Sequence, residues 1–181
     1  CELISLHTPL TSNSKYPTKN MLDSNFIEIL KNKILINTSR GGIVDESSVL
    51  RNKDLIYISD VWNNEPVPNK TLVDRSLIAT PHIAGHSFNG KLNGTIILIK
   101  NLLKYIDRED RIKDSLEIIN NHFSLVKRRQ QAPSFNDYFL EYDVNWESQR
   151  FKTSFEVADK ESYESIFNDL RSKHPLRRDF L

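Results

Sequence analysis

The chain has 181 residues, of which 38% are hydrophobic and 27% charged, and its 25 Lys and Arg against 24 Asp and Glu give a formal net charge of +1. This length allows one compact domain or one and a half, and the composition excludes a disordered chain. Because the charge is nearly balanced, we expect neither a nucleic acid nor a membrane surface as partner. The longest apolar run, residues 95–103, is too short to span a bilayer.

The start of the chain and its cysteine content give two further expectations. The one cysteine, Cys1, cannot form an internal disulfide, which favours a reducing compartment such as the cytoplasm. No charged-then-apolar signal peptide opens the sequence. Because no Met comes first and residues 1–6 already have the pattern of a strand, we expect the chain to be the later part of a longer polypeptide.

Short apolar runs alternate with helical patterns over the first half of the chain. Strands are predicted at residues 3–6, 34–38, 55–59 and 77–79. Helices are predicted to begin at the N-cap residues Asp23 and Asp45. Strands that alternate with helices over short connections are typical of parallel βαβ units, so the sequence predicts an α/β fold.

A polar cluster follows each predicted strand. Because the carboxyl ends of parallel strands meet at one edge of a sheet, we expect these clusters to form one rim, where ligands bind in such folds. The clusters are Thr8, residues 38–40, residues 60–65 and residues 82–86.

The second half of the chain has a different pattern of predicted elements. A long core-packing helix is predicted over residues 87–106, with Ile96, Ile99, Leu102, Leu103 and Ile106 on one face. A short helix through Leu116, Ile119 and Phe123 follows, and then the strand-like segments 138–144 and 150–157. A final helix is capped by Asp159 and ends at Pro175. Since this tail is too small to bury a good core alone, we expect it to dock on another surface, most simply a second copy of the chain.

Three side chains of the rim suggest a reaction. An arginine such as Arg40 holds a carboxylate through two parallel hydrogen bonds. A histidine such as His82 can take or give a proton near neutral pH, and a carboxylate such as Glu65 would fix its tautomer. Together they suit hydride transfer between a 2-hydroxy acid and a nicotinamide. Taken singly, each has another interpretation: a solvated surface arginine, a capping histidine and a turn residue before Pro66.

Four segments carry a family resemblance. They are residues 6–10 (LHTPL), 36–45 (INTSRGGIVD), 60–66 (DVWNNEP) and 81–85 (PHIAG). In this order they resemble the D-isomer-specific 2-hydroxyacid dehydrogenases, over residues 1 to about 106. The resemblance implies part of a Rossmann-like parallel sheet with helices on both faces, followed by a small α+β C-terminal dimerisation domain. The implied divisions are 1–86 for the C-terminal half of an NAD-binding domain, 87–112 for a long helix returning toward a substrate domain, and 113–181 for dimerisation.

The same resemblance implies roles for individual residues. Arg40, Glu65 and His82 are the implied catalytic residues, NAD is the implied cofactor, and no metal is expected. The implied NAD contacts are Thr8, Thr38, Ser39, Arg40, Asp60 and Gly85. His86 occupies a position implied to touch the substrate, where the family usually has Tyr.

Residues 84–95 and the segments 167–171 and 175–180 resemble more closely one subfamily, which acts on small phosphorylated 2-hydroxy acids and dimerises through its C-terminal domain. The alternatives are a sibling dehydrogenase acting on 3-phosphoglycerate or a plain D-2-hydroxy acid, or a non-catalytic dimerisation remnant. The five glycines form no G-x-G-x-x-G, and the acidic residue that distinguishes NAD from NADP is missing with that loop, so the choice between the two cofactors stays open. We therefore expect the isolated chain to bind NAD poorly.

Overall fold

The computed structural model describes residues 1–127 and 142–175. The chain folds into two compact units. One unit contains Cys1–Ala84 and Asp143–His174, and the other contains Gly85–Tyr142 with the C-terminal end from Pro175. The predicted divisions at residues 86 and 112 stay predictions, but these units divide the chain differently, because residues 143–174 pack with the sheet.

A four-stranded, fully parallel sheet forms the centre of the first unit. The strands lie in chain order, so that Leu6, Asn37, Ser59 and Ala79 are aligned across the sheet near the carboxyl ends of the strands. The predicted α/β class and parallel pairing are confirmed. The strands are β1 (Leu3–Leu6), β2 (Ile34–Asn37), β3 (Ile56–Ser59) and β4 (Ile78–Ala79).

Three short helices connect these strands: α1 (Ser24–Glu28), α2 (Glu46–Arg51) and α3 (Lys70–Arg75). The predicted caps are confirmed, since Asp23 accepts a hydrogen bond from the Phe26 N–H and Asp45 from the N–H groups of Ser47 and Ser48. Helix α1 contacts α2, and α2 contacts α3. The connecting helices therefore pack side by side. The placement of helices on both faces stays a prediction.

The predicted strand at residues 150–157 is wrong, because these residues lie in the helix α6 (Val144–Glu156). Phe151 and Phe155 are four residues apart and fully buried, while Val157 is 82% exposed. Asp143 caps this helix by accepting hydrogen bonds from Asn145 and Trp146. The predicted strand at 138–144 lies largely outside the described residues, and Val144 belongs to α6.

The final predicted helix is confirmed as α7 (Tyr163–Ser172), after a 3₁₀ turn capped by Asp159. Helices α6 and α7 add four aromatic side chains to the core of the first unit, where the Phe151 ring lies 6.1 Å from that of Trp62. In addition, the Ala79 N–H donates to Ser148 Oγ at 3.0 Å. The described part of the tail is therefore helical and docks on the sheet of its own chain. The four aromatic residues are Phe151, Phe155, Tyr163 and Phe167.

The described part of the second unit contains two α-helices, α4 (Phe88–Tyr105) and α5 (Ile112–Lys127), which contact each other, with a 3₁₀ turn (Glu109–Arg111) between them. Both were predicted, α5 as a shorter helix. The predicted core-packing face of α4 is less buried than expected, because Leu102 is 54% and Ile106 51% exposed. Throughout the described ranges, no helix combines the length and the apolar character that a membrane crossing requires.

Candidate active site

His82 and Glu65 form an ion pair at the carboxyl edge of the sheet. His82 Nδ1 lies 2.7 Å from Glu65 Oε2, and both side chains are about three-quarters buried. Glu65 is held in turn by the Trp62 N–H, which donates to its Oε1 at 2.8 Å. Trp62 is itself fixed, because its indole N–H donates to the Thr80 carbonyl oxygen at 3.0 Å. The structure thus brings together two of the three predicted catalytic residues on rigidly held backbone.

The backbone of His82 is in the left-handed region, with φ at +57°. Few residues other than glycine adopt this conformation, and such residues cluster at functional sites. Asp60 holds this part of the chain in place: its carbonyl oxygen accepts the His82 N–H at 2.8 Å, and its carboxylate accepts the N–H groups of Ile83 and Ala84. The Thr80 hydroxyl also donates to Asp60, at 2.6 Å.

Asp60 is therefore a buried carboxyl with three hydrogen-bond donors. Burial raises the pKa of the Asp60 carboxyl, while the hydrogen bonds from Thr80, Ala84 and Ile83 and the nearby His82 oppose that rise. Its oxygens are already engaged within the chain, so Asp60 orients His82 in this structure. Its predicted contact with NAD stays a prediction.

Arg40 lies in the loop that follows β2. The Asn37 side chain braces this loop, since its amide donates to the Arg40 carbonyl oxygen at 3.1 Å and its oxygen accepts from the N–H and the hydroxyl of Ser39. The Arg40 side chain is exposed, and its Nη1 donates to the Ser39 carbonyl oxygen at 2.6 Å. The loop is thus fixed, while Arg40 remains exposed.

The loop of Arg40 lies directly against the turn that carries Glu65. A Cβ atom on Gly41 would come within 2.0 Å of the Trp62 carbonyl oxygen, so only glycine allows this approach. The neighbouring Gly42 has φ at +80°, and its N–H donates to Asn63 Oδ1 at 2.6 Å. This packing explains why two glycines follow Arg40.

A buried glutamate lies beneath these loops. Glu46 is 8% exposed, and its Oε1 accepts the Asn63 N–H at 2.8 Å. Burial raises the pKa of Glu46 to about 7, and the negative charges of Glu65 and Asp45 add to that rise, while the hydrogen bond from Asn63 opposes it. Sequence reasoning missed both Glu46 and Asn63. In the sequence, Glu46 is an ordinary acidic residue in the first turn of a helix. No local pattern indicates its hydrogen bond with Asn63, which lies 17 residues further along the chain.

The remaining predicted ligand-binding residues fall in different environments. The Thr8 hydroxyl oxygen is buried and has no hydrogen-bond partner among the described residues. Thr38 is exposed, and Ser39 is bonded to Asn37. Gly85 and His86 belong to the second unit, where His86 Nε2 lies 3.2 Å from Lys91 Nζ. The roles predicted for these residues stay predictions.

The described residues offer no cluster of metal ligands. Over residues 1–127 and 142–175, no group of three or more His, Cys, Asp or Glu side chains is arranged to hold a metal ion.

Residues 1–84 match the family model described as "D-isomer specific 2-hydroxyacid dehydrogenase, NAD binding domain". Over nearly its whole length, the chain resembles proteins named erythronate-4-phosphate dehydrogenase. It is 35% identical to the protein of Coxiella burnetii (strain RSA 331 / Henzerling II) and 32% identical to that of Wigglesworthia glossinidia brevipalpis, with 99% of this chain and 48% of each relative covered. The chain thus spans about half the length of the curated relatives that it matches.

A solved glyoxylate reductase from Paecilomyes thermophila supports the fold. It aligns with a TM-score of 0.51 and 23% identity, over 59% of this chain and 33% of that one. The chain thus resembles the D-isomer-specific 2-hydroxyacid dehydrogenases, and residues 1–84 match the NAD-binding domain of that family.

Proposed function

We propose that the complete polypeptide containing this chain oxidises 4-phospho-D-erythronate to its 2-oxo acid with NAD, as a step of vitamin B6 biosynthesis. The observation that carries this proposal is the pair of His82 Nδ1 and Glu65 Oε2 at 2.7 Å. The names of the relatives matched over 99% of the chain support the substrate.

His82 takes the proton in this proposal. Because its Nδ1 is engaged by Glu65, Nε2 is the nitrogen left to accept the proton of the C2 hydroxyl. The Glu65 carboxylate stabilises the imidazolium that forms, and the Trp62 N–H keeps that carboxylate in place. In the opposite direction, the same imidazolium returns the proton to the 2-oxo group.

Arg40 binds the substrate carboxylate in this proposal. A guanidinium has five N–H donors in a planar fork. One of its nitrogens, Nη1, bonds to the Ser39 carbonyl oxygen, and the side chain is exposed at the rim. Two parallel hydrogen bonds to a carboxylate would orient the hydroxyl-bearing carbon.

One observation at the rim supports a bound cofactor in this proposal: the buried Thr8 hydroxyl has no partner among the described residues and can bond to a ligand atom. When bound, NAD would supply the hydride acceptor for C2 of the substrate. We propose that it is held by the residues predicted from the sequence: Thr8, Thr38, Ser39, Arg40, Asp60 and Gly85. The proposal also includes contact between His86 and the substrate.

The oligomeric state and the cellular location are also part of this proposal. We expect a homodimer, because the subfamily that the tail resembles dimerises through its C-terminal domain. We also expect a cytoplasmic location, because the single cysteine, Cys1, cannot form an internal disulfide.

The test uses the complete polypeptide as its host makes it. NADH formation is measured with 4-phospho-D-erythronate, 3-phosphoglycerate and D-lactate as substrates, and we expect the highest kcat/KM with the first. His82→Gln should lower kcat on the order of 1,000-fold, which is the usual contribution of a positioned acid–base group. A preference for 3-phosphoglycerate or D-lactate would favour a sibling dehydrogenase. Full turnover by His82→Gln would contradict the assigned roles, and no turnover by the unmodified protein would favour a dimerisation remnant.

A further inference from the structure

Two segments that carry catalytic residues are joined by a chain of contacts. We name them the arginine loop, residues 38–42, and the glutamate turn, residues 61–66. The Gly42 N–H of the arginine loop donates to Asn63 Oδ1 in the glutamate turn at 2.6 Å. The Asn63 N–H donates in turn to Glu46 Oε1 at 2.8 Å. Asn63 is thus held on one side by the loop of Arg40 and on the other by helix α2.

Glu46 is suited to anchor this chain of contacts because its own position is fixed. It is the first residue of α2, whose N-terminus is capped by four hydrogen bonds to Asp45 and whose Val49 is fully buried. A carboxyl group is rarely buried without a partner, and here the partner is a backbone N–H of a different segment.

The surroundings of Glu46 are acidic or neutral. The charged and titratable groups that act on it are Asp45 on its own helix and Glu65 on the glutamate turn, and Glu46 in turn acts on the buried Tyr57 of β3. No cation is among these groups in the described residues. The contact that holds Glu46 there is the hydrogen bond that it accepts from the Asn63 N–H. Either a carboxylate or a protonated carboxyl can accept this bond.

We propose that Glu46 is a positioning residue, which acts through Asn63 to hold the arginine loop against the glutamate turn and so sets Arg40 relative to the pair of Glu65 and His82. This inference rests on the proposed function, since it assigns the reaction to those three residues. Arg40 would bind the substrate and His82 would take its proton, so their spacing decides whether a bound substrate can react. A displacement of about 1 Å at such a site can lower the rate on the order of 100-fold.

Substitutions at Glu46 separate the role of the acceptor from that of the charge. Glu46→Gln keeps an oxygen for the Asn63 N–H, whereas Glu46→Leu removes it at similar volume. In the complete polypeptide we expect Glu46→Leu to lower kcat and raise KM, with kcat/KM down on the order of 100-fold. Glu46→Gln should restore kcat/KM to within about threefold of the unmodified protein. Equal losses in both variants would overturn the proposal.

Asn63→Ala provides a second and milder variant. It keeps the backbone N–H that bonds to Glu46 but removes the oxygen that holds Gly42. Because only the arginine loop is released, we expect KM to rise roughly tenfold while kcat changes less than about twofold. An unchanged KM would contradict the link to Arg40.

Glu147→Leu is the matched control. Glu147 is also a buried glutamate near the start of a helix, at 7% exposure, but it lies on α6 and contacts His174. Both Leu variants remove a buried carboxyl, so both are expected to lower stability. If Glu147→Leu also changed kcat/KM on the order of 100-fold, the effect of Glu46→Leu would reflect stability alone and the proposal would be wrong.

Amide hydrogen exchange tests the contacts without any turnover. In Glu46→Leu we expect the Gly42 and Asn63 amides to exchange at least about tenfold faster, with β2 and β3 unchanged and Glu46→Gln like the unmodified protein. Unchanged exchange at Gly42 in Glu46→Leu would overturn the positioning role. A complete polypeptide without dehydrogenase activity would overturn the proposed function instead, and the exchange result would still decide whether Glu46 holds the loop.

Discussion

At the scale of single residues, the buried Glu46 makes stability depend on pH. Its pKa is raised from the ordinary value of 4.5 to about 7, mainly by burial. Between these values the folded protein binds more protons than the unfolded chain, so the stability that Glu46 contributes is greatest below pH 4.5 and is lost as the pH rises through about 7. The rise corresponds to roughly 3 kcal/mol.

Glu46→Gln removes this dependence. We expect it to be more stable than the unmodified protein at pH 8, by up to roughly 3 kcal/mol, and about equal to it near pH 4. Urea denaturation at several pH values measures the difference. Glu28→Gln, at an exposed position of α1, is the control and should change the free energy of unfolding by less than about 0.5 kcal/mol at each pH. A difference for Glu46→Gln that does not grow with pH would contradict the assignment.

The site was partly predictable at this scale. His82 and Glu65 could be placed together from the sequence because each follows a strand of a parallel sheet, and the structure pairs them. Arg40 was placed at the same edge, and its loop contacts the turn of Glu65 through Gly41 and Gly42. Glu46 could not be found in this way. Its bond to Asn63 depends on where two backbones meet in space, and a single sequence carries no signal for such a contact.

At the scale of elements, α6 shows why alternating patterns can mislead. Phe151, Thr153, Phe155 and Val157 alternate as in a half-buried strand, but Phe151 and Phe155 are also four residues apart, as on one face of a helix. Asp143 then supplies the helix cap. Asp143 is thus a cap residue that the prediction did not use. A second one is Asn69, which caps α3 by accepting the Leu72 N–H. In both cases a cap residue marks the start of the helix, while in α6 the spacing of the apolar residues also fits a strand.

Two substitutions test the helical assignment of α6. In a strand, Phe155 and Val157 would share a face, but in the structure Phe155 is fully buried between the rings of Phe151 and Tyr163, with centroid distances of 4.9 and 4.5 Å. Phe155→Ala should therefore lower the free energy of unfolding by roughly 3–5 kcal/mol. Val157→Ala, at an 82% exposed position, is expected to change it by less than about 0.5 kcal/mol. Similar losses in both variants, measured by urea denaturation, would support the strand.

At the scale of the whole molecule, the sheet order was predictable but the docking of the tail was not. Short βαβ connections favour neighbouring parallel strands, as found here. The tail was expected to need a partner because it is small, yet residues 143–174 find their apolar surface on the same chain. Composition shows that a small segment must bury its apolar side chains against another surface. It does not show whether that surface belongs to the same chain or to a second copy.

Cofactor affinity also depends on the whole molecule. We expect the 181-residue chain alone to bind NADH with a Kd above about 1 mM. The chain offers Thr8 and the rim residues but no G-x-G-x-x-G, and that loop places a helix N-terminus against the pyrophosphate. Calorimetric titration of the chain with NADH measures this, with the complete polypeptide as the comparison. Micromolar binding by the chain alone would show that the rim suffices.

The contact of α6 with β4 has a consequence for self-association. β4 is the last strand in the order, and its Ala79 N–H donates to a serine hydroxyl of α6. Open strand edges present unpaired backbone groups on which strands of other molecules can add, and this is a common route to aggregates. By covering that edge with a helix, the tail removes a template for intermolecular β-pairing. Residues 143–174 are therefore expected to limit aggregation through the β4 edge, as well as adding aromatic side chains to the core.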